Sequence, residues 1–216
     1  MIDIIKQTRS SILVIIFSIL TWAVMMPKLP NYIGMQYTMD GEVIWETNKY
    51  LAATIIIGIM ITIYILAIIK PLIDPEKNSY VLFRKYFSAS ILITEILVYL
   101  VSCGLMLNAM DIAIDLSLIT MLSVGFLLII VGNYLPKIPT TWFVGVRNPW
   151  SLSDRDVWNK THRFTAVLYI FVGFLFILGT LLSLINVSII LLVVAVCVIT
   201  PHIYSYLIFK SSINDF

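Results

Sequence analysis

"LAATIIIGIMITIYILAII", residues 51–69, contains no Lys, Arg, Asp or Glu, and its length decides what kind of protein this is. A helix rises about 1.5 Å per residue, so about 20 apolar residues are needed to cross roughly 30 Å of hydrocarbon. Working outward, with Lys, Arg and clustered Pro as boundaries, similar runs lie at 11–27, 86–107, 113–134, 165–185 and 188–208. Composition agrees. The 216 residues are 60% hydrophobic and 12% charged, with a mean hydropathy of +1.00, more apolar surface than one soluble core of this length can hide. Ile and Val lower helix propensity in water, but in lipid each backbone N–H and C=O must be satisfied within its own segment. A membrane barrel would instead alternate apolar and polar residues, and these runs do not. The expected fold is all-α: a polytopic integral membrane protein of six transmembrane helices forming one membrane domain over residues 1–216.

Charge sets the expected orientation. With six spans, twelve of the fourteen Lys and Arg fall on the side that holds both termini, and only Lys28 and Lys49 fall on the other. The positive-inside rule places the twelve, and both termini, in the cytoplasm of a bacterial cell membrane. The first span has a basic start, but "TWAVMMPKLP" offers no small-x-small cleavage site, so it is expected to stay as an anchor. Cys103 and Cys197 lie in spans near opposite faces, which argues against a disulfide or a metal site. Short basic loops without a basic stripe argue against nucleic-acid binding by the chain.

The first outer loop, 28–50, is longer than a plain connection requires. Pro27 and Pro30 impose an extended exit from the first helix, and Asp40-Gly41 signals a tight reversal or short hairpin. Two readings of its rings stand side by side: an aromatic belt at headgroup level, or a small cap over the bundle. Its acids are either solvated loop charges or a surface for a cationic visitor. The ligand candidates on this side are Tyr37, Asp40, Glu42, Trp45 and Glu46, because buried aromatics dominate peptide interfaces.

The inner loop, 135–164, is denser. "GNYLPKIPTTWFVGVRNPWSLSDRDVWNKTHRF", Gly132 to Phe164, holds five of the fourteen Lys and Arg and three of the five Trp. Gly132 and Asn133 stand near the end of the fourth helix, and Pro136 blocks its continuation. Gly145 allows close backbone approach, and Pro149 ends the apolar stretch around Arg147. Ser151 or Ser153 is expected to cap the next helix, with Asp154 and Asp156 in its first turn. Val157, Trp158, Thr161 and His162 then form a mixed face. Asn133, Lys137, Arg147, Asp154, Trp158 and His162 are expected to converge. No nucleophile and base pair, zincin spacing or Gly-rich phosphate loop accompanies them, so neither a catalytic set nor a metal or cofactor is expected.

Glu95 stands mid-span in "SASILITEILVYLVS". A carboxylate there is costly and marks either a pathway or a structural bond within the bundle. Tyr64, Thr62 and Asn108 are its candidate partners.

The residues "GNYLPK…WFVGVRNPWSL…VWNKTHR" resemble the signature of the SdpI family, with Gly132, Asn133, Pro136, Lys137, Gly145, Arg147, Pro149, Trp150, Trp158, Thr161 and His162 as its matching positions. The outer loop, with "LP", "DGEV" and a lysine before the second span, resembles the module that accompanies it. The chain departs from the pattern at Thr141, where asparagine is expected, and at Gln36, where histidine is. The resemblance implies a membrane protein of Gram-positive bacteria that protects its producer from a secreted peptide toxin. It also implies a second partner, a small winged-helix repressor held at the inner face, for which Lys77, Arg84 and Lys85 are basic contact candidates; attraction of those residues to anionic lipid heads is the rival account. The competing readings are a small-solute or proton-coupled transporter using Glu95, and a membrane-embedded enzyme using His162, Arg147 and Asp154.

Overall fold

The computed structural model describes residues 8–38, 41–75, 79–112 and 114–214. In chain order they form α1 (Arg9–Met25), β1 (Tyr32–Tyr37), β2 (Val43–Asn48), α2 (Lys49–Ile73), α3 (Ser79–Ala109), α4 (Leu116–Tyr134), a 3-10 turn (Leu135–Lys137), α5 (Pro149–Ser153), α6 (Arg155–Leu181) and α7 (Val187–Asn214). Five of these, α2, α3, α4, α6 and α7, are long and apolar enough to cross a membrane. The run expected to give the first span forms α1, whose 17 residues fall short of that length. The architecture is mostly helical, as expected, with one addition: the outer loop folds as an antiparallel β-hairpin.

The helices overrun the expected spans because polar residues at their ends still make good helix. α6 starts at Arg155, ten residues before the apolar run, since the Asp154 carboxylate accepts the Asp156 and Val157 N–H groups and caps it. This corrects the expectation that Ser151 or Ser153 would cap and Asp154 would lie in the first turn. α7 continues through Pro201. Proline there leaves the Cys197 carbonyl without its intrahelical donor, and the Tyr169 hydroxyl of α6 supplies one at 3.2 Å. α3 is two helical pieces meeting at Phe83, whose backbone leaves the helical region (φ −114, ψ 16).

The chain divides into two compact units. The first comprises Met1–Ile69 and Ser88–Ser123. Its core gathers Ile15 and Trp22 of α1, Ile33 of the hairpin, Met60 of α2 and Met106 of α3. Trp22 is buried, and its Nε1 donates to Ser102 Oγ at 3.0 Å, so the one polar atom of a large ring is satisfied. The hairpin is held at both ends. Lys49 Nζ donates to the Met26 and Leu29 carbonyls that follow α1, and Ser117 Oγ at the start of α4 donates to the Thr38 carbonyl.

The second unit comprises Lys70–Phe87 and Val124–Phe216. A Cβ on Gly173 of α6 would stand 2.8 Å from the Gly125 carbonyl of α4, and one on Gly132 would stand 2.9 Å from the Ala166 carbonyl. Gly125 and Gly132 are seven residues apart on α4, as are Ala166 and Gly173 on α6. The two antiparallel helices thus meet backbone to backbone along a seam of small residues, the contact that stabilises helix pairs where lipid offers no hydrophobic drive. Gly132 therefore belongs to helix packing.

Candidate functional site

The inner loop, residues 135–164, lies wholly in the second unit and is locked by its own polar atoms. After α4 the 3-10 turn around Pro136 delivers an extended Ile138, whose carbonyl accepts Trp158 Nε1 at 2.9 Å. Trp158 stacks on His162, centroids 4.0 Å apart at 25°. The Val146 N–H donates to His162 Nε2 at 3.1 Å, so that nitrogen carries no proton. His162 Nδ1 lies 2.9 Å from the Trp158 carbonyl, which only a donor can satisfy. The imidazole is therefore the neutral Nδ1–H tautomer with both nitrogens engaged.

Gly145 is what lets the loop reach the ring. Its φ is +111, a region that disfavours side chains, and a Cβ there would collide with His162 Nε2 and crowd Trp158. Thr141 is fully buried and closes the preceding turn by donating to the Val144 carbonyl at 2.8 Å.

Two further polar residues tie the loop down, and neither stood out in the sequence. Asn148 caps α5: its Oδ1 accepts the Ser151 N–H at 2.8 Å, its N–H bonds Ser151 Oγ at 3.1 Å, and Pro149 follows in the first turn. The same Oδ1 accepts the Ser205 hydroxyl of α7 at 3.0 Å, and Trp150 packs on Tyr206 at 5.1 Å. "NPWS" is a readable capping box, but nothing in it points to Ser205. Asp74, just past α2, is buried, and its Oδ2 accepts both the Trp142 N–H and the Tyr80 hydroxyl at 3.1 Å. Replacing Asp74 with alanine is expected to orphan the Trp142 N–H and the Tyr80 hydroxyl and cost about 1–3 kcal/mol. Asp74→Asn, which keeps an acceptor oxygen, is expected to cost less. Thermal unfolding followed by thiol labelling of buried Cys197 compares the two, and equal midpoints would remove Asp74 from this role.

Only part of the expected convergence forms. Trp158 and His162 meet, as does the buried face of Val157 and Thr161. Asn133 is exposed and Asp154 serves as a helix cap. Lys137 instead lies 4.5 Å over the Tyr86 ring and 5.5 Å over Tyr134, a cation–π seat. Arg147 is exposed, and its Nη1 donates to the Trp142 carbonyl at 2.6 Å. With His162 committed at both nitrogens, the set holds backbone in place and offers no free base. What it displays outward is Arg147 beside Trp142, which is 52% exposed.

On the hairpin the candidates are presented differently. Trp45 pairs with Gln36 and Val43 with Tyr37, and Glu42, Val43, Ile44, Trp45 and Glu46 are all exposed. Tyr37 is half-buried, its ring over Gly34, and burial pushes its hydroxyl above the usual phenol range. Asp40 lies outside the described residues, as does Lys77. Arg84 and Lys85 are exposed.

Glu95 on α3 is fully buried, and neither carboxylate oxygen has a hydrogen-bond partner among the described residues. None of its expected partners serves: Thr62 bonds the Gly58 carbonyl, Tyr64 bonds Thr8, and Asn108 bonds the Ile114 carbonyl.

Residues 137–205 match the model of the SdpI/YfhL protein family. Over 204 residues, 92% of this chain and 96% of the relative, the sequence is 27% identical to "Immunity protein SdpI" of Bacillus subtilis (strain 168). No solved structure matches the chain. The resemblance to the SdpI family is thus borne out, and the likeness favours neither the transport nor the enzyme reading. The matched segment contains the locked inner loop from Lys137 onward together with α6 and most of α7.

Proposed function

We propose that this chain is a multi-pass bacterial membrane immunity protein that protects its cell from a secreted antimicrobial peptide. The observation that carries the reading is the near full-length likeness to an immunity protein. In this reading α1 serves as a sixth span, both termini are cytoplasmic, and the twelve-to-two asymmetry of basic residues supports that orientation. The hairpin then faces outward. Its exposed Trp45 with Glu42 and Glu46 suits a peptide that is both apolar and cationic, since an aromatic anchor supplies contact area and the acids supply complementarity; Tyr37 adds to this surface, and Asp40 is a candidate by sequence alone. The inner loop is a stiff platform. Arg147 and Trp142 on it, and exposed Arg84 and Lys85 of α3, are the contacts on which a small winged-helix repressor would be held, with Lys77 a candidate by sequence alone.

The test is survival of a sensitive Gram-positive host that expresses this chain and is challenged with a secreted peptide toxin, with membrane insertion monitored in parallel. Expression is expected to protect. Replacing Glu42, Trp45 and Glu46 together by alanine is expected to abolish protection at unchanged insertion. Arg147→Ala is expected to leave protection intact and to lower repressor recovery in the membrane fraction. Absence of protection against any candidate peptide would overturn the immunity reading.

A further inference from the structure

Four buried side-chain atoms of the first unit have no hydrogen-bond partner among the described residues: both oxygens of Glu95, Ser11 Oγ and Ser18 Oγ. All three residues are fully buried. Ser11 and Ser18 are seven residues apart and so share one face of α1. Glu95 and Ser102 are likewise seven apart on one face of α3.

Contacts between the two helices set their register. Phe17 packs on Tyr99 at 5.5 Å, Thr21 bonds Tyr99 at 3.1 Å, and Trp22 bonds Ser102 at 3.0 Å. The numbers rise together, so α1 and α3 run parallel and their side chains tilt the same way. Measured back from the Trp22–Ser102 bond at about 1.5 Å per residue, Ser18 lies about 6 Å down, Glu95 about 10 Å and Ser11 about 16 Å. A groove lined by Leu13, Val14, Ile16, Phe17 and Leu20 of α1 with Ile96 and Tyr99 of α3 agrees with this register. By residue position Glu95 is thus bracketed by Ser11 and Ser18, about 4 to 6 Å away along the axis on either side. No direct bond joins these side chains, and a gap of that order is one that an intervening water spans with two bonds of about 2.8 Å.

We propose that Glu95, with Ser11 and Ser18, forms an internal hydrated proton-binding site in the first unit, its carboxyl holding the proton and water joining it to both hydroxyls. A buried carboxylate needs a cation, a proton or several donors. Among the described basic residues of this unit, Arg9 and Lys28 are exposed at the ends of α1, and Lys49 is committed to the Met26 and Leu29 carbonyls. Among the described residues of this unit, no basic side chain therefore faces Glu95. The other described titratable groups of this interior are Tyr37 of the hairpin, Tyr64 of α2, bonded to Thr8, and Tyr99 and Cys103 of α3, the former bonded to Thr21. Buried water characteristically joins polar groups left without protein partners, and three such side chains on facing helices provide them.

Dicyclohexylcarbodiimide tests the site, because it adds to protonated carboxyls in apolar surroundings and leaves a stable acylurea. The full-length protein in liposomes is treated across a pH series and the adduct is located by peptide mass spectrometry. Labelling is expected on Glu95, fading as pH rises, and absent from Glu95→Gln. In Ser11→Ala/Ser18→Ala the water loses its anchors and the carboxylate loses its donors. The fade is then expected to move to higher pH by about one unit, a tenfold tighter hold on the proton. Ser18→Ala alone is expected to move it part of the way, and it serves if the double variant inserts poorly. Labelling confined to exposed Glu42 and Glu46, labelling of Glu95 indifferent to pH, or the same profile in both serine variants would overturn the proposal. So would protection by sodium at constant pH, which would make the ligand a metal cation.

Discussion

Gly145→Val is expected to unlock the inner loop. The native φ of +111 already disfavours any side chain, at about 1–3 kcal/mol. The new Cβ would also occupy the place of His162 Nε2. Moving the ring forfeits the buried Val146 N–H bond, worth about 1–3 kcal/mol when one partner is left orphaned, and disturbs the stack on Trp158. A total loss of about 2–6 kcal/mol is expected from these two contributions. Cys197 is the thiol of the second unit and Cys103 that of the first, so in a Cys103→Ser background the labelling rate of Cys197 on heating reports the second unit alone. The midpoint is expected to fall by many degrees. Gly41→Ala in the first unit, read by Cys103 labelling in a Cys197→Ser background, provides the contrast: its φ is +85, but a Cβ meets nothing within 4 Å, so only backbone strain remains and about 1 kcal/mol is expected. Equal effects of the two substitutions would show that the His162 contact contributes nothing.

Trp22→Ala is expected to have a comparable effect on the first unit. The ring is 1% exposed and stands in the largest apolar cluster. In lipid the transfer of apolar surface contributes little, so the loss is mainly of packing and of the cavity left behind. Large-to-small changes of this kind cost about 3–5 kcal/mol in soluble cores, and about 2–4 kcal/mol is the expectation here after that discount. Trp22→Phe keeps most of the volume and loses the bond to Ser102, for about 1 kcal/mol. The readout is Cys103 labelling on heating in a Cys197→Ser background. A midpoint unchanged by Trp22→Ala would mean that the unit is not held through this residue.

The inner loop shows how far single-sequence reasoning reaches. Pro136 and Gly145 were legible because each has one dominant backbone consequence, a helix stop and room for close backbone approach. The face of Val157, Trp158, Thr161 and His162 was legible from its 3.6-residue spacing. Asp154 was displaced by one structural step, from the first turn to the cap, because several oxygens in "SLSD" were eligible and only the path of the chain chose among them. Asp74 and Ser205 were not legible. Their partners are 68 and 57 residues away, and no periodicity connects such distances. The hairpin was half legible: Asp40-Gly41 signalled a reversal, whereas the pairing of Tyr32–Tyr37 with Val43–Asn48 depends on alternation too weak to separate strand from cap.

What the sequence by itself determined is the class of the protein, its long apolar helices and its uneven distribution of charge. Hydrocarbon thickness sets the length of an apolar run, the absence of water compels each run to satisfy its own backbone, and both constraints act on contiguous residues. What only the tertiary structure decided is which polar atoms meet. His162 is committed at both nitrogens, Asn148 reaches Ser205, and Glu95 is buried with neither carboxylate oxygen bonded by a described residue. Hydrogen bonds close only near 3 Å, and the chain path that brings atoms within that distance is a property of the packed helices, not of any one segment.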